Sequence, residues 1–119
     1  MKAANNRLLI KIGEEFSKGN LDFAAAYFAD DITWNILGEY PVIGKKQVMD
    51  VGKMSQLESY PVITIKTVIA ESNYVVIEST GEAKTRTGKP YNQSYCEIFR
   101  FENEKLKEIT TYLDRAVGI

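Results

Sequence analysis

The chain has no histidine, one cysteine, one tryptophan and three prolines among its 119 residues. Without imidazole it lacks both the commonest metal ligand and the commonest general base, so zinc sites and Ser-His or Cys-His triads are excluded. A lone cysteine, Cys96, cannot close an intrachain disulfide. Charge of one sign is missing as well: 15 Lys and Arg stand against 16 Asp and Glu, a formal charge of -1. Such a chain carries no global field for a polyanion, and no nucleic acid is expected as a partner. No run approaches the ~18 apolar residues needed to span a bilayer, and the opening Met-Lys-Ala-Ala-Asn-Asn has no apolar core of a leader. No membrane partner and a cytoplasmic location are therefore expected. No metal and no cofactor are called for. Acid–base chemistry, if any, must come from carboxylates, tyrosines, lysines or water.

What is present is the composition of one folded domain spanning 1–119, with 45% hydrophobic and 26% charged residues and no low-complexity stretch. Leu8, Ile12 and Phe16 recur at i+4 with Leu9 beside them, which predicts an amphipathic helix from about Ala4 to Lys18, stopped by Gly19. Asn20 is placed to cap a second short helix over Leu21 to Phe28, and a third follows Gly44, with Val48, Val51 and Met54 spaced by three. A strand over Ile32 to Leu37 lies between them. From Tyr60 onward the pattern is β-rich with period two, interrupted by turn signals at Ser72-Asn73, Thr87-Gly88 and Asn103-Glu104. The economical architecture is α+β, with helices packed on one face of a mostly antiparallel sheet.

Two-residue hairpin loops at those three turns would decide which side chains share a face. They place Ile63, Ile65, Thr67 and Ile69 in rows with Val76, Glu78, Gln93, Tyr95, Glu97, Phe99, Thr110, Tyr112 and Asp114 beneath the helices. Acids among aromatics on a buried face indicate a cavity with hydrogen-bonding groups, because unpaired buried charge is costly. Glu78 and Glu97 would then be cross-strand neighbours about 5 Å apart, one of them held protonated. Asp114 would sit more than ~10 Å away, near the rim. A one-residue bulge at Thr87-Gly88 is the alternative. It flips the third strand of the meander, sets Glu97 against Ile77 and turns Glu78 away from the cavity.

The segments YFADDITW (Tyr27 to Trp34), YPVIGKKQV (Tyr40 to Val48) and SYCEIFRFENEKLKEITTYLD (Ser94 to Asp114) resemble the nuclear transport factor 2-like superfamily, within it the SnoaL-like and ketosteroid isomerase-like group. The resemblance covers nearly the whole chain. It implies a cone-shaped α+β barrel, three N-terminal helices on a curved sheet, with a pocket at one end and a homodimer formed through the outer sheet face. By position, the isomerases' phenol donor falls on Ile12 and their general base on Ile36, so both groups are lost, while their protonated acid falls on Glu97. The final-strand acid common in the group corresponds to Asp114.

Two readings of function follow. In the first, a pocket for a small, partly apolar ligand is walled by Ile12, Trp34, Ile36, Gln93, Tyr95, Phe99, Thr110 and Tyr112. Glu97, Glu78 and Asp114 would exchange protons there in isomerase- or cyclase-like chemistry. In the second, the chain is a non-enzymatic dimerisation or adaptor module of the same fold.

Overall fold

A computed structural model describes residues 3–54 and 57–115. Helix α1 (Ala3–Ser17) forms where the i, i+3, i+4 stripe predicts it and buries Leu9, Ile12 and Phe16. It ends in a Schellman turn. The Asn20 amide donates to the Glu15 carbonyl at 2.9 Å and the Gly19 amide to that of Phe16 at 3.0 Å, with Gly19 at φ 89°. Glycine is required here twice over, since a Cβ on Gly19 would lie 2.6 Å from the ring of Tyr60. Gly19→Ala is therefore expected to cost about 2–4 kcal/mol, the left-handed penalty plus overpacking, read from urea unfolding midpoints.

Helix α2 (Leu21–Ala25) is shorter than the sequence suggests, because the chain extends at Phe28 to begin β1 (Phe28–Ile36). A two-residue strand β2 (Val42–Ile43), not anticipated, pairs with β1, and α3 (Lys45–Gly52) follows Gly44. The rest is the expected meander: β3 (Val62–Glu71), β4 (Tyr74–Lys84), β5 (Pro90–Glu102) and β6 (Lys105–Arg115). The sheet order is β2-β1-β6-β5-β4-β3, antiparallel except for β1 beside β6. Asn35 and Arg100 both donate to Glu108, which ties β1 and β5 to β6 across that seam.

The register departs from two-residue hairpins at one turn and at two bulges. The loop between β4 and β5 has three residues, Arg86, Thr87 and Gly88. The Gly88 amide donates to the Thr85 carbonyl at 2.8 Å, Gly88 lies at φ 88°, and Thr85 pairs with Lys89. This is a type I turn closed by a left-handed glycine, and it moves the pairing by one residue, so that Ile77 stands opposite Glu97 and Glu78 opposite Cys96. In β6 the Asn103-Glu104 turn has two residues, both at positive φ, as the sequence indicates. Lys107 then bulges, so Phe101 pairs with Leu106 but Arg100 with Glu108. In β3, Lys66 bulges between the pairs Ile65–Ser79 and Thr67–Glu78. Such bulges bend a sheet, and here they help curl it round α1.

The core lies between the inner sheet face and α1. Phe16 is at its centre, its ring 5.2 Å from Trp34 and 5.9 Å from Phe99 in edge contacts and 6.3 Å from Phe28. Gly13 lets the helix approach closely, since a Cβ there would meet Ile77 at 3.1 Å. Among the described residues no helix is long and apolar enough to cross a membrane.

Candidate functional site

Beyond the C-terminal end of α1 the sheet outruns the helix, and the space left is a cavity of about 400 Å³. Its floor is Phe16 and Ser17 of α1. Its walls are Trp34 and Ile36 of β1, Val51 of α3, Tyr60 and Ile63, the β5 residues Tyr91, Gln93, Tyr95 and Glu97, and Thr111 and Leu113 of β6. Glu39, Tyr40 and Asp50 also line it, and Tyr40 is 92% exposed.

Glu97 is buried at the inner end. Its Oε1 accepts from Ser17 Oγ at 2.8 Å and its Oε2 from Thr111 Oγ1 at 2.9 Å. Thr111 Oγ1 in turn accepts from the Trp34 indole Nε1 at 2.8 Å. An indole N–H can only donate, so Thr111 keeps its hydroxyl hydrogen to donate to the ionised carboxylate and a second lone pair to accept from the neutral acid. A proton on Glu97 finds an acceptor on either side, Ser17 Oγ from Oε1 or Thr111 Oγ1 from Oε2. Ser17 likewise donates to the ionised carboxylate and accepts from the neutral acid by turning its hydroxyl. Burial raises the Glu97 pKa, and the two hydroxyl hydrogen bonds pull the other way without overcoming it. Tyr60, whose hydroxyl donates to the Ser17 carbonyl at 3.4 Å, has its pKa pushed up by burial and then by the charges of Glu97 and Tyr95.

Gln93 is the second polar feature. The residue is 4% exposed and lines the cavity, and among the described residues its Nε2 has no hydrogen-bond partner. A buried donor without an acceptor costs about 1–3 kcal/mol.

Of the residues anticipated for the pocket, Trp34, Ile36, Gln93, Tyr95 and Glu97 come together in the cavity wall. Ile12 and Phe99 do not line it; both are fully buried in the packed core beside Phe16. Glu78, Thr110, Tyr112 and Asp114 are corrected to the outer sheet face, opposite Cys96, Ile98, Cys96 and Ser94 respectively in the register set by the Gly88 turn and the Lys107 bulge. No Glu78–Glu97 pair exists. Glu78 accepts from Thr67 at 2.8 Å in solvent instead. Ser79, which two-residue hairpins would set on the outer face, is buried on the inner one opposite Tyr95. Ser17, Tyr60, Tyr91 and Thr111 are cavity residues that sequence reasoning missed. The period of α1 points to Ser17 only through its neighbour Phe16, and Thr111 is hidden by the bulge. Among the described residues no three acidic or cysteine side chains converge to hold a metal ion.

Residues 12–109 match the SnoaL-like domain family. A nuclear transport factor 2-like protein of unknown function from Cytophaga hutchinsonii is 35% identical over 92% of this chain and 98% of its own, with a TM-score of 0.79. Two more distant structures share the fold. One is a candidate SnoaL-like polyketide cyclase from a Jannaschia species (10% identity, 96% of this chain and 90% of that one, TM-score 0.81). The other is a de novo designed protein with a curved β-sheet (22% identity, 96% and 88%, TM-score 0.69). No curated protein matches the chain. With its helices on a curved six-stranded sheet, a profile match over most of its length and a 35% identical relative, the chain belongs to the SnoaL-like group of the nuclear transport factor 2-like superfamily.

Proposed function

We propose that this chain binds a small, partly apolar molecule in the cavity and exchanges a proton with it through Glu97, in chemistry of the isomerase or cyclase kind. The observation that carries the reading is a carboxyl group buried at the cavity's inner end, with each oxygen met by a hydroxyl, Ser17 and Thr111, that can donate to the anion or accept from the acid. A carboxyl kept neutral by burial is a competent acid near neutrality, and its conjugate base a competent proton acceptor. That matters in a chain without histidine. Ile36 stands where the resembling isomerases carry their base, so Glu97 and Ser17 must serve both directions of transfer. The deciding test follows the Glu side-chain carboxyl carbons by NMR across pH, with Glu97→Gln to assign the signal. One glutamate titrating well above the usual ~4.3 is expected to vanish in the variant. Normal titration of every glutamate would refute the reading.

The outer sheet face supports a companion proposal, a homodimer. Ile69, Tyr74 and Tyr112 are large apolar side chains about half exposed on that face, beside Cys96 and Ile98. An apolar sheet surface of this kind is costly to leave in water. Tyr112→Lys is expected to shift the protein from dimer to monomer in sedimentation velocity while leaving the cavity intact. A wild-type protein that sediments as a monomer would end the proposal.

A further inference from the structure

Three neighbouring strands each give one side chain to a buried row of hydrogen bonds. The Trp34 indole of β1 donates to Thr111 Oγ1 of β6 at 2.8 Å, and Thr111 Oγ1 bonds Glu97 Oε2 of β5 at 2.9 Å. All three residues are buried. Register makes the row: Thr111 stands directly opposite Glu97 and beside Ile36, and Trp34 lies two residues before Ile36 on the same face. A buried indole N–H needs an acceptor, and a backbone carbonyl would serve it as well. Here the acceptor is a hydroxyl that is itself bonded to the acid, so the indole acts on Glu97 too. A threonine oxygen has two lone pairs and one hydrogen. With one lone pair filled by Trp34, donating the hydrogen to the carboxylate aligns Trp34, Thr111 and Glu97 in one direction, each donor polarising the next. Accepting a proton from Oε2 instead obliges Thr111 to accept twice and to turn its own hydrogen away from both partners. On that side the indole therefore favours the anion. Ser17 Oγ, on the other side, has no such donor behind it among the described residues.

We propose that Trp34 is a positioning residue for Glu97: by donating to Thr111 it sets that hydroxyl as a donor to the carboxyl and so eases the loss of the acid's proton. The proposal rests on Glu97 as the acid of the cavity. It adds how a carboxyl in so dry a place can also serve as a base. Burial holds the proton on Glu97, and the row that starts at Trp34 works against burial. The titratable groups facing Glu97 among the described residues are the phenols of Tyr60, before β3, and Tyr95 of β5. Helix α1 presents Ser17 there and β6 presents Thr111, both uncharged. Glu39 and Asp50 line the same cavity from exposed positions, and their influence cancels when variants of Trp34 and Thr111 are compared.

The sole tryptophan gives one indole N–H signal in a ¹H–¹⁵N NMR spectrum, and that signal tests the proposal in the unaltered protein. Across a pH titration it is expected to move with the midpoint of the Glu97 carboxyl carbon, and to stay in place in Thr111→Val and in Glu97→Gln. Trp34→Phe is expected to raise the Glu97 midpoint by about half a pH unit, an about threefold fall in its acid constant, the scale of polarisation along a hydrogen-bonded row. Thr111→Val, which removes the direct bond to the anion, should raise it by about one unit or more. Adding Trp34→Phe to Thr111→Val should raise it no further, because the indole then has no hydroxyl to act through. Three results overturn the proposal: an indole signal that stays flat while Glu97 titrates, a Glu97 midpoint unmoved or lowered by Trp34→Phe, or an equal rise with and without the Thr111 hydroxyl, which would mean that the ring acts through burial alone. A wild-type Glu97 midpoint at the usual ~4.3 ends the reading of Glu97 as a neutral acid, and the displacement between variants still decides whether Trp34 acts on it.

Discussion

Glu97→Gln is expected to abolish proton exchange with any bound ligand and, above acidic pH, to make the protein more stable than the wild type. The folded chain holds the Glu97 proton more tightly than the unfolded chain does, because burial disfavours the anion. The stability that this proton contributes is therefore fully present below the unfolded value near 4.5 and is lost as pH rises through the folded value. Over that window the wild type should lose up to about 1.4 kcal/mol for each pH unit. In Glu97→Gln this loss should disappear. A glutamine reproduces the neutral acid, with its oxygen accepting from Thr111 and its amide donating to Ser17 Oγ. Glu15 and Asp31 do not mimic the effect: their hydrogen bonds to Asn20 and Lys107 lower their pKa, so they titrate below the window and with the opposite sign. Urea midpoints from pH 5 to 8 for both proteins make the comparison. Parallel profiles would mean that Glu97 is ionised and solvated in the folded state.

Phe16→Ala is expected to be the most destabilising single change, about 3–5 kcal/mol, a large share of the ~5–15 kcal/mol that holds a typical domain. The ring is the shared neighbour of Trp34, Phe28 and Phe99, so its removal leaves three aromatic rings facing a void that none of them alone can fill. It also opens the floor of the cavity. Trp34 is the sole tryptophan and reports the change directly. Its emission should shift to longer wavelength as water reaches the indole, and its bond to Thr111 should loosen with it. A variant that unfolds at the wild-type midpoint with unchanged Trp34 emission would show that the core closes over the gap.

Much of the fold was legible because the patterns responsible are local. The stripe Leu9, Ile12, Phe16 makes one helix face whatever lies opposite, and Gly19 ends that helix by a backbone requirement of its own. The alternation of β5 was equally readable, and it put Gln93, Tyr95 and Glu97 on one face, where they remain. The neighbouring strands were not legible to the same degree. Thr87-Gly88 is compatible with a two-residue loop and with the last two positions of a three-residue loop, and the choice inverts every side chain of β4 relative to β5. A bulge leaves still less trace: Lys107 and Lys66 are ordinary exposed residues whose extra place in the strand is accommodated by the curvature of the whole sheet.

The sequence by itself determined the class of the fold, the order of its three helices and of the four-strand meander, and the place of Glu97 among three candidate acids with Glu78 and Asp114. The tertiary structure alone decided what surrounds that acid. The expected partner Glu78 stands outside, and hydroxyl groups from α1 and β6 take its place, Ser17 at 80 residues' separation and Thr111 at 14. Periodicity assigns a face to each residue within its own element, but a one-residue shift between strands costs no local pattern. Only burial of the correct combination of faces against α1 settles which polar groups meet.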